Sequence, residues 1–296
     1  MNKINTEDFQ LGKEKYKSKR NSDYILNWIE GLKKEAGVVK FTDGDIRKDF
    51  YNFLYDIGYC YYMGNLAFEI SDMGRMGKVH FDHEMSNLEP HILKLYELTE
   101  KEALIKTYLN SLNRNLFIGA WSTFELCVTL LCDAVASPDE KEKLLSSSCK
   151  DIINKFKRSA LNEIDLGAFK ESSIDIHLTH VPITRKTDLL FKKAEKYPKD
   201  RVKEDKEFLL FFGRFRNTMH TNYIYFAKKN TKSLTYSFYN GTYTFENQKI
   251  VGYNNLNVPA SELFLSKLDL LKEIWSFLIS NIEHSNFIPY PDDRQN

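Results

Sequence analysis

Apolar residues recur at helical spacing over most of the chain. Intervals of three and four residues between them predict helices with one buried face. The helix predicted over residues 187–220 is expected to break near Tyr197-Pro198. Residues 159–187, which lack periodicity and contain Pro182, are expected to be irregular. Ser137, with Pro138 after it, and Ser261 suit N-caps. The predicted helices cover residues 21–36, 45–72, 89–110 or 89–136, 138–158, 187–220 and 259–284.

The period changes from helical to alternating after residue 232. Leu234–Tyr239 and Thr242–Phe245 alternate on either side of Asn240-Gly241, and that dipeptide is typical of a tight hairpin turn. Residues 249–253 are long enough for a third short strand. The fold class predicted is therefore mostly α, a helical bundle with a small β-hairpin insert at about residues 232–253.

Charge changes this picture only locally. The 296 residues carry 42 Lys and Arg against 41 Asp and Glu, a net charge of +1, but residues 151–232 hold 18 basic and 11 acidic residues. A basic surplus of this kind fits a phosphate-binding surface. A solvated, lysine-rich helix face is the alternative interpretation.

The cysteines and the N-terminus predict a reducing, cytoplasmic environment. No CxxC spacing occurs, and the first 20 residues are charged without an apolar core, so no signal peptide is expected. Cys127 and Cys132 lie in an apolar run, which favours burial. That run, Leu116–Val135, contains Glu125 and Asp133, and we expect it to fall short of a membrane span. The four cysteines are Cys60, Cys127, Cys132 and Cys149.

The densest group of chemically capable residues is Arg214-Phe-Arg216-Asn217-Thr-Met-His220-Thr-Asn222. On a helix, Arg216 and His220 share a face, with roughly 6 Å between their Cβ atoms, and Asn217 lies beside them. Arg214 lies about 120° around the same helix. The helix is expected to end near His220, because Asn222 suits a C-cap.

A guanidinium beside an imidazole suits the cleavage of a phosphodiester. Histidine moves protons near neutral pH, and arginine stabilises the charge that develops on phosphate. The 2′-hydroxyl of RNA is a built-in nucleophile, so no metal is required. The alternative is structural: Arg216 and His220 form a hydrogen-bonded pair that closes the helix, with Asn222 as its cap.

The Arg-Asn-x-x-His-x-Asn string of residues 216–222 resembles the HEPN superfamily, the nucleotide-binding domains of higher eukaryotes and prokaryotes. The following tyrosine, hairpin and last helix, and the upstream Trp121–Glu125 helix, are similar to that family's pattern. The resemblance covers about residues 100–285. It implies a HEPN-like domain over residues 101–296 with its β insert, and an N-terminal helical extension over residues 1–100 packed on that core.

This resemblance implies a metal-independent endoribonuclease, often a toxin or antiphage effector, that acts as a homodimer on RNA and needs no cofactor. His220 would be the catalytic acid or base, Arg216 and Arg214 would bind the phosphate, and Asn217 and Asn222 would support them. The family's usual gap of four to six residues between Arg and His fits Arg214, whereas the Asn that follows the arginine fits Arg216. A non-catalytic module that binds RNA, a nucleotide or a partner protein, such as an antitoxin, is the alternative. No membrane partner is expected.

Two histidine-bearing segments have residue types that bind metals. One runs from His80 to Glu84 with His91 further on, and the other joins His177 and His180. Neither has the HExxH spacing, so solvated polar loops are the favoured interpretation. The aromatic run Tyr55–Tyr62 predicts core packing, with a base-stacking platform as the alternative.

Overall fold

The computed structural model describes residues 21–77, 94, 102–146, 181–227, 232–239, 241–251 and 260–290. These residues are mostly helical and include one two-stranded antiparallel sheet, which confirms the predicted fold class. The helices are α1 (Asn21–Val38), α2 (Ile46–Arg75), α3 (Glu102–Val135), α4 (138–146), α5 (Ile183–Lys193), α6 (Lys199–Met219) and α7 (Ala260–Asn281). The strands are β1 (Ser233–Phe238) and β2 (Gly241–Glu246).

Most helix boundaries follow local signals in the sequence. The Ser137 amide donates to the Glu140 carboxylate at 2.8 Å, and the Glu140 amide donates to Ser137 Oγ at 3.3 Å, so a reciprocal capping box starts α4. The expected break near Tyr197-Pro198 is confirmed, because α5 ends at Lys193 and α6 begins at Lys199.

Two boundary predictions were wrong. Residues 183–187 are helical rather than irregular, because Pro182 (φ −54°) precedes the first turn of α5, where a proline starts a helix without breaking one. Ser261 is not a cap, since the helix already includes Ala260. Residues 181 and 182 are non-helical as predicted, and residues 159–180, which hold the rest of the segment predicted to be irregular, lie outside the described residues.

The hairpin forms as predicted, but its turn lies one residue earlier than expected, because Tyr239 and Asn240, rather than Asn240 and Gly241, link the paired residues Phe238 and Gly241. Ser233 pairs with Glu246 and Phe238 pairs with Gly241, while Asn240 of the expected turn lies outside the described residues. Among residues 247–251, which the structure describes after β2, none joins the hairpin as a third strand. Instead, Ile250 pairs with Ile224 in an isolated antiparallel bridge.

The described residues fall into two compact units. The first draws on residues within 1–38, 52–119 and 253–268, and the second on residues within 39–51, 120–252 and 269–296. In the first, the Tyr61 hydroxyl donates to Asn113 Oδ1 at 2.6 Å, and the rings of Phe117 and Phe264 meet edge to face at 5.5 Å. The boundary expected near residue 100 stays a prediction, since residues 95–101 lie outside the described ones.

The core of the second unit is aromatic. The Phe50 ring lies 5.1 Å from that of Trp275, and Phe124 packs against both. Trp275 Nε1 donates to the Arg47 carbonyl at 3.2 Å, so the buried indole keeps its hydrogen bond. This packing belongs to the same unit as the motif at residues 214–222.

The segment Thr107–Val135 is long and apolar enough to cross a membrane by length and composition, with a hydropathy of 1.4. Our expectation that this run would fall short of that criterion was therefore wrong. An apolar stretch of 18 residues within this segment is 56% buried inside the protein. The buried core helix of a soluble protein can have the same length and composition. The burial expected of Cys127 and Cys132 is confirmed, Cys60 is exposed, and the cytoplasmic location stays a prediction.

Candidate functional site

Helix α6 carries the motif and is anchored by its aromatic face. The Phe212 ring stacks on Trp121 of α3 at 5.2 Å with an interplanar angle of 18°. A Cβ at Gly213 would lie 3.1 Å from Trp121 Cζ2, so the residue before Arg214 lies close beneath this ring. The buried side of α6 consists of Asp205, Phe208, Leu209, Phe211, Phe212, Phe215, Thr218 and Met219.

The hairpin packs on the same helix. The Phe211 ring lies 4.7 Å from Tyr243, 5.1 Å from Phe238 and 5.7 Å from Phe245. Alternate residues of β1 and β2 therefore face α6, which explains why a short two-stranded sheet is stable here. The hairpin borders the motif as a result of this packing.

Helix α6 ends in a left-handed turn. The amides of Thr221 and Tyr223 donate to the Thr218 carbonyl at 3.0 and 2.7 Å, and the Thr221 hydroxyl lies 2.9 Å from the same oxygen. Asn222 and Tyr223 have φ angles of 52° and 64°. The bond from Tyr223 to Thr218 is the one that closes a Schellman-type helix end. The helix therefore ends where the sequence predicted, within the motif.

Arg216 and His220 are not used to close this helix end. His220 keeps helical backbone angles (φ −72°, ψ −17°), so its four-residue spacing from Arg216 leaves both on one face. His220 is exposed and Arg216 is half-buried. No hydrogen bond joins these two described side chains, which argues against the structural alternative of a closing pair.

Only part of the Arg216 guanidinium is hydrogen-bonded within the described residues. Its Nη1 donates to Asn217 Oδ1 at 3.2 Å, which holds the group across the exposed helix surface. Its Nε is buried and has no hydrogen-bond partner among the described residues. Buried donors usually have a partner, so this nitrogen is an unusual feature of the surface. Asn217 and Asn222 are exposed.

Arg214 points elsewhere. Burial raises the pKa of Tyr236 on β1, and a hydrogen bond with the Arg214 side chain opposes that rise. Arg214 therefore lies against the hairpin, as expected for a residue about 120° around the helix from His220. The geometry groups Arg216, Asn217 and His220, and separates Arg214 from them.

The fully buried Asp205 fixes the far end of the hairpin, and the sequence did not reveal its role. Its carboxylate accepts from the Tyr197 hydroxyl at 2.5 Å and from the Tyr239 hydroxyl, and Arg201 lies 3.6 Å away. Burial raises the pKa of Asp205, which these three donors oppose. The i,i+4 spacing of Arg201 and Asp205 predicts an ion pair from the sequence alone. The spacing does not show that Tyr239 of the hairpin also binds Asp205.

The other candidates contribute less. Among the described residues, no group of three or more His, Cys, Asp or Glu could hold a metal ion. His80, Asp82, His83, Glu84, His91, His177 and His180 lie outside the described residues. In the aromatic run, Tyr61 is buried as expected for core, whereas Tyr59 is 45% exposed and its ring stacks on Tyr55 at 6.0 Å.

We found no match to this chain among protein-family models, curated proteins or solved structures. The arrangement of Arg216, Asn217 and His220 must therefore be interpreted from its own chemistry.

Proposed function

We propose that this protein is a metal-independent endoribonuclease of the HEPN type. The observation that carries the proposal is the exposed end of α6, where Arg216 and His220 share one face and neither closes the helix. A half-buried cation next to an exposed imidazole suits phosphodiester chemistry. The basic surplus of residues 151–232 supplies further charge for binding the RNA backbone.

The proposed reaction needs only groups of the protein and the RNA. The 2′-oxygen attacks the adjacent phosphorus and loses its proton to an imidazole as the bond from phosphorus to the 5′-oxygen breaks. An imidazolium supplies the proton that the departing 5′-oxygen takes up. The products are a 2′,3′-cyclic phosphate and a 5′-hydroxyl. Arg216 stabilises the negative charge that gathers on the phosphate oxygens, with its orientation set by Asn217.

One histidine serves one of these two proton transfers in a given turnover, so we propose that the active form is a homodimer. Two copies of His220 would then face one RNA strand, one as base and one as acid. This arrangement predicts that His220→Ala protein mixed into wild-type protein lowers the activity more than in proportion to its share. Strict proportionality would indicate that each copy acts alone.

The second candidate function is a non-catalytic module that binds RNA, a nucleotide or a partner protein such as an antitoxin. Two observations favour it. Only three residues separate Arg216 from His220. The arginine with the wider spacing, Arg214, lies against Tyr236.

The deciding experiment is the cleavage of end-labelled single-stranded RNA by the full chain in excess chelator. We expect cleavage that survives the chelator and leaves cyclic phosphate ends. The variant His220→Ala should lose roughly two or more decades of rate. His284→Ala is the matched control, since this half-buried histidine lies outside the motif and its backbone carbonyl serves Arg47.

Two results would contradict the nuclease. Cleavage abolished by chelator and restored by a divalent ion would remove the metal-independent mechanism. Wild-type protein that binds RNA across varied sequences but never cleaves it would support the binding module instead.

A further inference from the structure

The chain that leaves α6 forms an exposed edge beside the motif. The Tyr225 amide donates to the Lys249 carbonyl at 3.1 Å, and the Gln248 amide donates to the Tyr225 carbonyl at 2.7 Å. The Val251 amide donates to the Tyr223 carbonyl at 2.7 Å. Residues 223–226 and 248–251 are thus held together by three backbone bonds. We call this antiparallel pair of segments the edge pair.

The two sides of the edge pair differ. Tyr225 is 4% exposed, and its ring lies 5.5 Å from Phe245, so its side faces the hairpin. Because side chains alternate along an extended segment, Phe226 points away from that core. Phe226 is 58% exposed and Ile250 is 71% exposed. The outer side of the edge pair therefore presents apolar side chains to solvent.

The charge around this side is positive. Residues 208–251 contain six Lys and Arg against one acidic residue, Glu246, whose carboxylate pairs with Lys249. Asn247 brings one of these cations to the edge pair: its Oδ1 accepts from the Ala227 amide at 2.8 Å, and its amide donates to the Lys232 carbonyl at 2.9 Å. The backbone of Lys232, an exposed residue, is thereby held near Ala227, which follows Phe226.

An exposed ring beside cations suits one class of partner. Single-stranded nucleic acids bind where aromatic rings stack on bases and basic residues follow the phosphates. A purely apolar partner would gain nothing from a surround in which basic residues outnumber acidic ones. Phe226 follows His220 by six positions, and six extended residues span at most about 22 Å. One strand of a few nucleotides can contact both.

We propose that the outer side of the edge pair is a stacking subsite. Phe226 would take one unpaired base of the RNA whose phosphate lies at Arg216 and His220, with Ile250 beside the ring and Lys232 on a neighbouring phosphate. The inference rests on the proposed function for its RNA, and adds that the substrate is unpaired at this position. Phe226 contacts the substrate away from the reacting atoms, so it affects binding and site choice.

Binding to a fluorescent RNA tests the subsite without cleavage. The background is His220→Ala full-length protein, and the probes are a single-stranded oligonucleotide and the same sequence fully base-paired. Adding Phe226→Ala should weaken single-strand binding about tenfold, since one stacked base contributes on that order. Phe226→Leu should weaken it similarly, because leucine is apolar but has no π-face, and Phe226→Trp should retain binding. Binding to the duplex should be unchanged.

The matched control is Phe287→Ala, a phenylalanine with similar exposure (52%) outside residues 208–251, which should bind like the background protein. Equal single-strand affinity of the Phe226→Ala and background proteins would overturn the subsite. A Phe226→Leu protein that binds the single strand as tightly as the background protein would also overturn it. A change in the molar mass of Phe226→Ala protein, measured by light scattering, would show instead that this side is a contact between copies. Cleavage by wild-type protein is measured separately, so the nuclease and the subsite can fail independently.

Discussion

The amide of Tyr223 donates a 2.7 Å hydrogen bond to the carbonyl of Thr218 across the end of α6. This bond, with the Thr221 hydroxyl beside it, satisfies a carbonyl that a helix end would otherwise leave open. The same turn directs the chain into the exposed edge pair. Because the backbone and a threonine close the helix, the side chains of Arg216 and His220 stay at its surface.

Substitutions of Asn222 can show whether this residue shapes the turn at the end of α6 or supports the site. Asn222 has a φ of 52°, a conformation that costs most L-residues roughly 1 kcal/mol and glycine very little. We expect Asn222→Ala to lower the free energy of unfolding by about 1 kcal/mol and Asn222→Gly to leave it unchanged or slightly higher. Chemical denaturation measures both.

The two Asn222 variants also separate fold from chemistry. If the asparagine only shapes the turn, Asn222→Gly retains full RNA cleavage. If its amide group supports the site, Asn222→Gly protein is stable but cleaves slowly. A stable Asn222→Ala protein would contradict the proposed turn.

The two arginines should give different kinetic defects. Arg216 shares a face with His220, so we expect Arg216→Ala to lower the cleavage rate roughly a hundredfold. Arg214 lies against Tyr236, so Arg214→Ala should mainly weaken RNA binding. Single-turnover rates at saturating protein separate the two effects.

Arg216→Lys is the companion variant, since it keeps the charge and loses the planar fork. It should recover binding but little of the rate. The reverse pattern, with Arg214→Ala slow in chemistry and Arg216→Ala impaired only in affinity, would transfer the catalytic role to Arg214.

Gly213 is expected to resist enlargement. A Cβ there would approach Trp121 to 3.1 Å, and that ring is held between Phe212 at 5.2 Å and Phe124 at 5.9 Å. The crowding should outweigh the gain in helix propensity, so Gly213→Ala should destabilise the protein by about 1 kcal/mol. Thermal unfolding is the measurement.

The control is Gly31→Ala in α1, where an added Cβ meets nothing within 4 Å. Only the propensity gain applies there, so this variant should be more stable by up to about 1 kcal/mol. If both alanines stabilise the protein equally, the close contact between α6 and Trp121 is wrong.

Lys186 is expected to make the stability of the protein depend on pH. It is 1% exposed, and its Nζ donates to Thr129 Oγ1 at 2.7 Å. Burial lowers its pKa, which nearby Glu125 and Cys132 oppose. The native state therefore holds its proton less tightly than the unfolded chain does. Unfolded protein binds more protons below the ordinary lysine value of 10.5, so stability should rise with pH through the alkaline range up to that value.

Lys186→Met should remove this rise. Methionine has a similar length and no charge to desolvate, and Thr129 keeps its 2.6 Å bond to the Glu125 carbonyl. We expect about 1 kcal/mol of added stability near pH 7 and a flatter dependence from pH 7 to 10. Urea denaturation at several pH values checks both. An unchanged slope with a strong loss of stability would show that the charge is fully paired in the native state.

Local pattern determined much of this protein. The helical stripes, the capping box from Ser137 to Glu140 and the break before Pro198 all depend on residues close together in the chain, so the sequence alone predicts them. The end of α6 near His220 belongs with these, because Asn222 is a residue type that favours the left-handed conformation at a helix end. The identity of the motif residues was likewise visible from their spacing.

Tertiary packing decided what those residues face. The hairpin folds back on Phe211, and this brings Tyr236 to Arg214 and leaves Arg216 with His220. The burial of Lys186 and the exposure of Phe226 depend in the same way on segments distant in the chain. Periodicity shows which side of a helix or strand is apolar, but the partner that covers it is set by contacts that no local window contains.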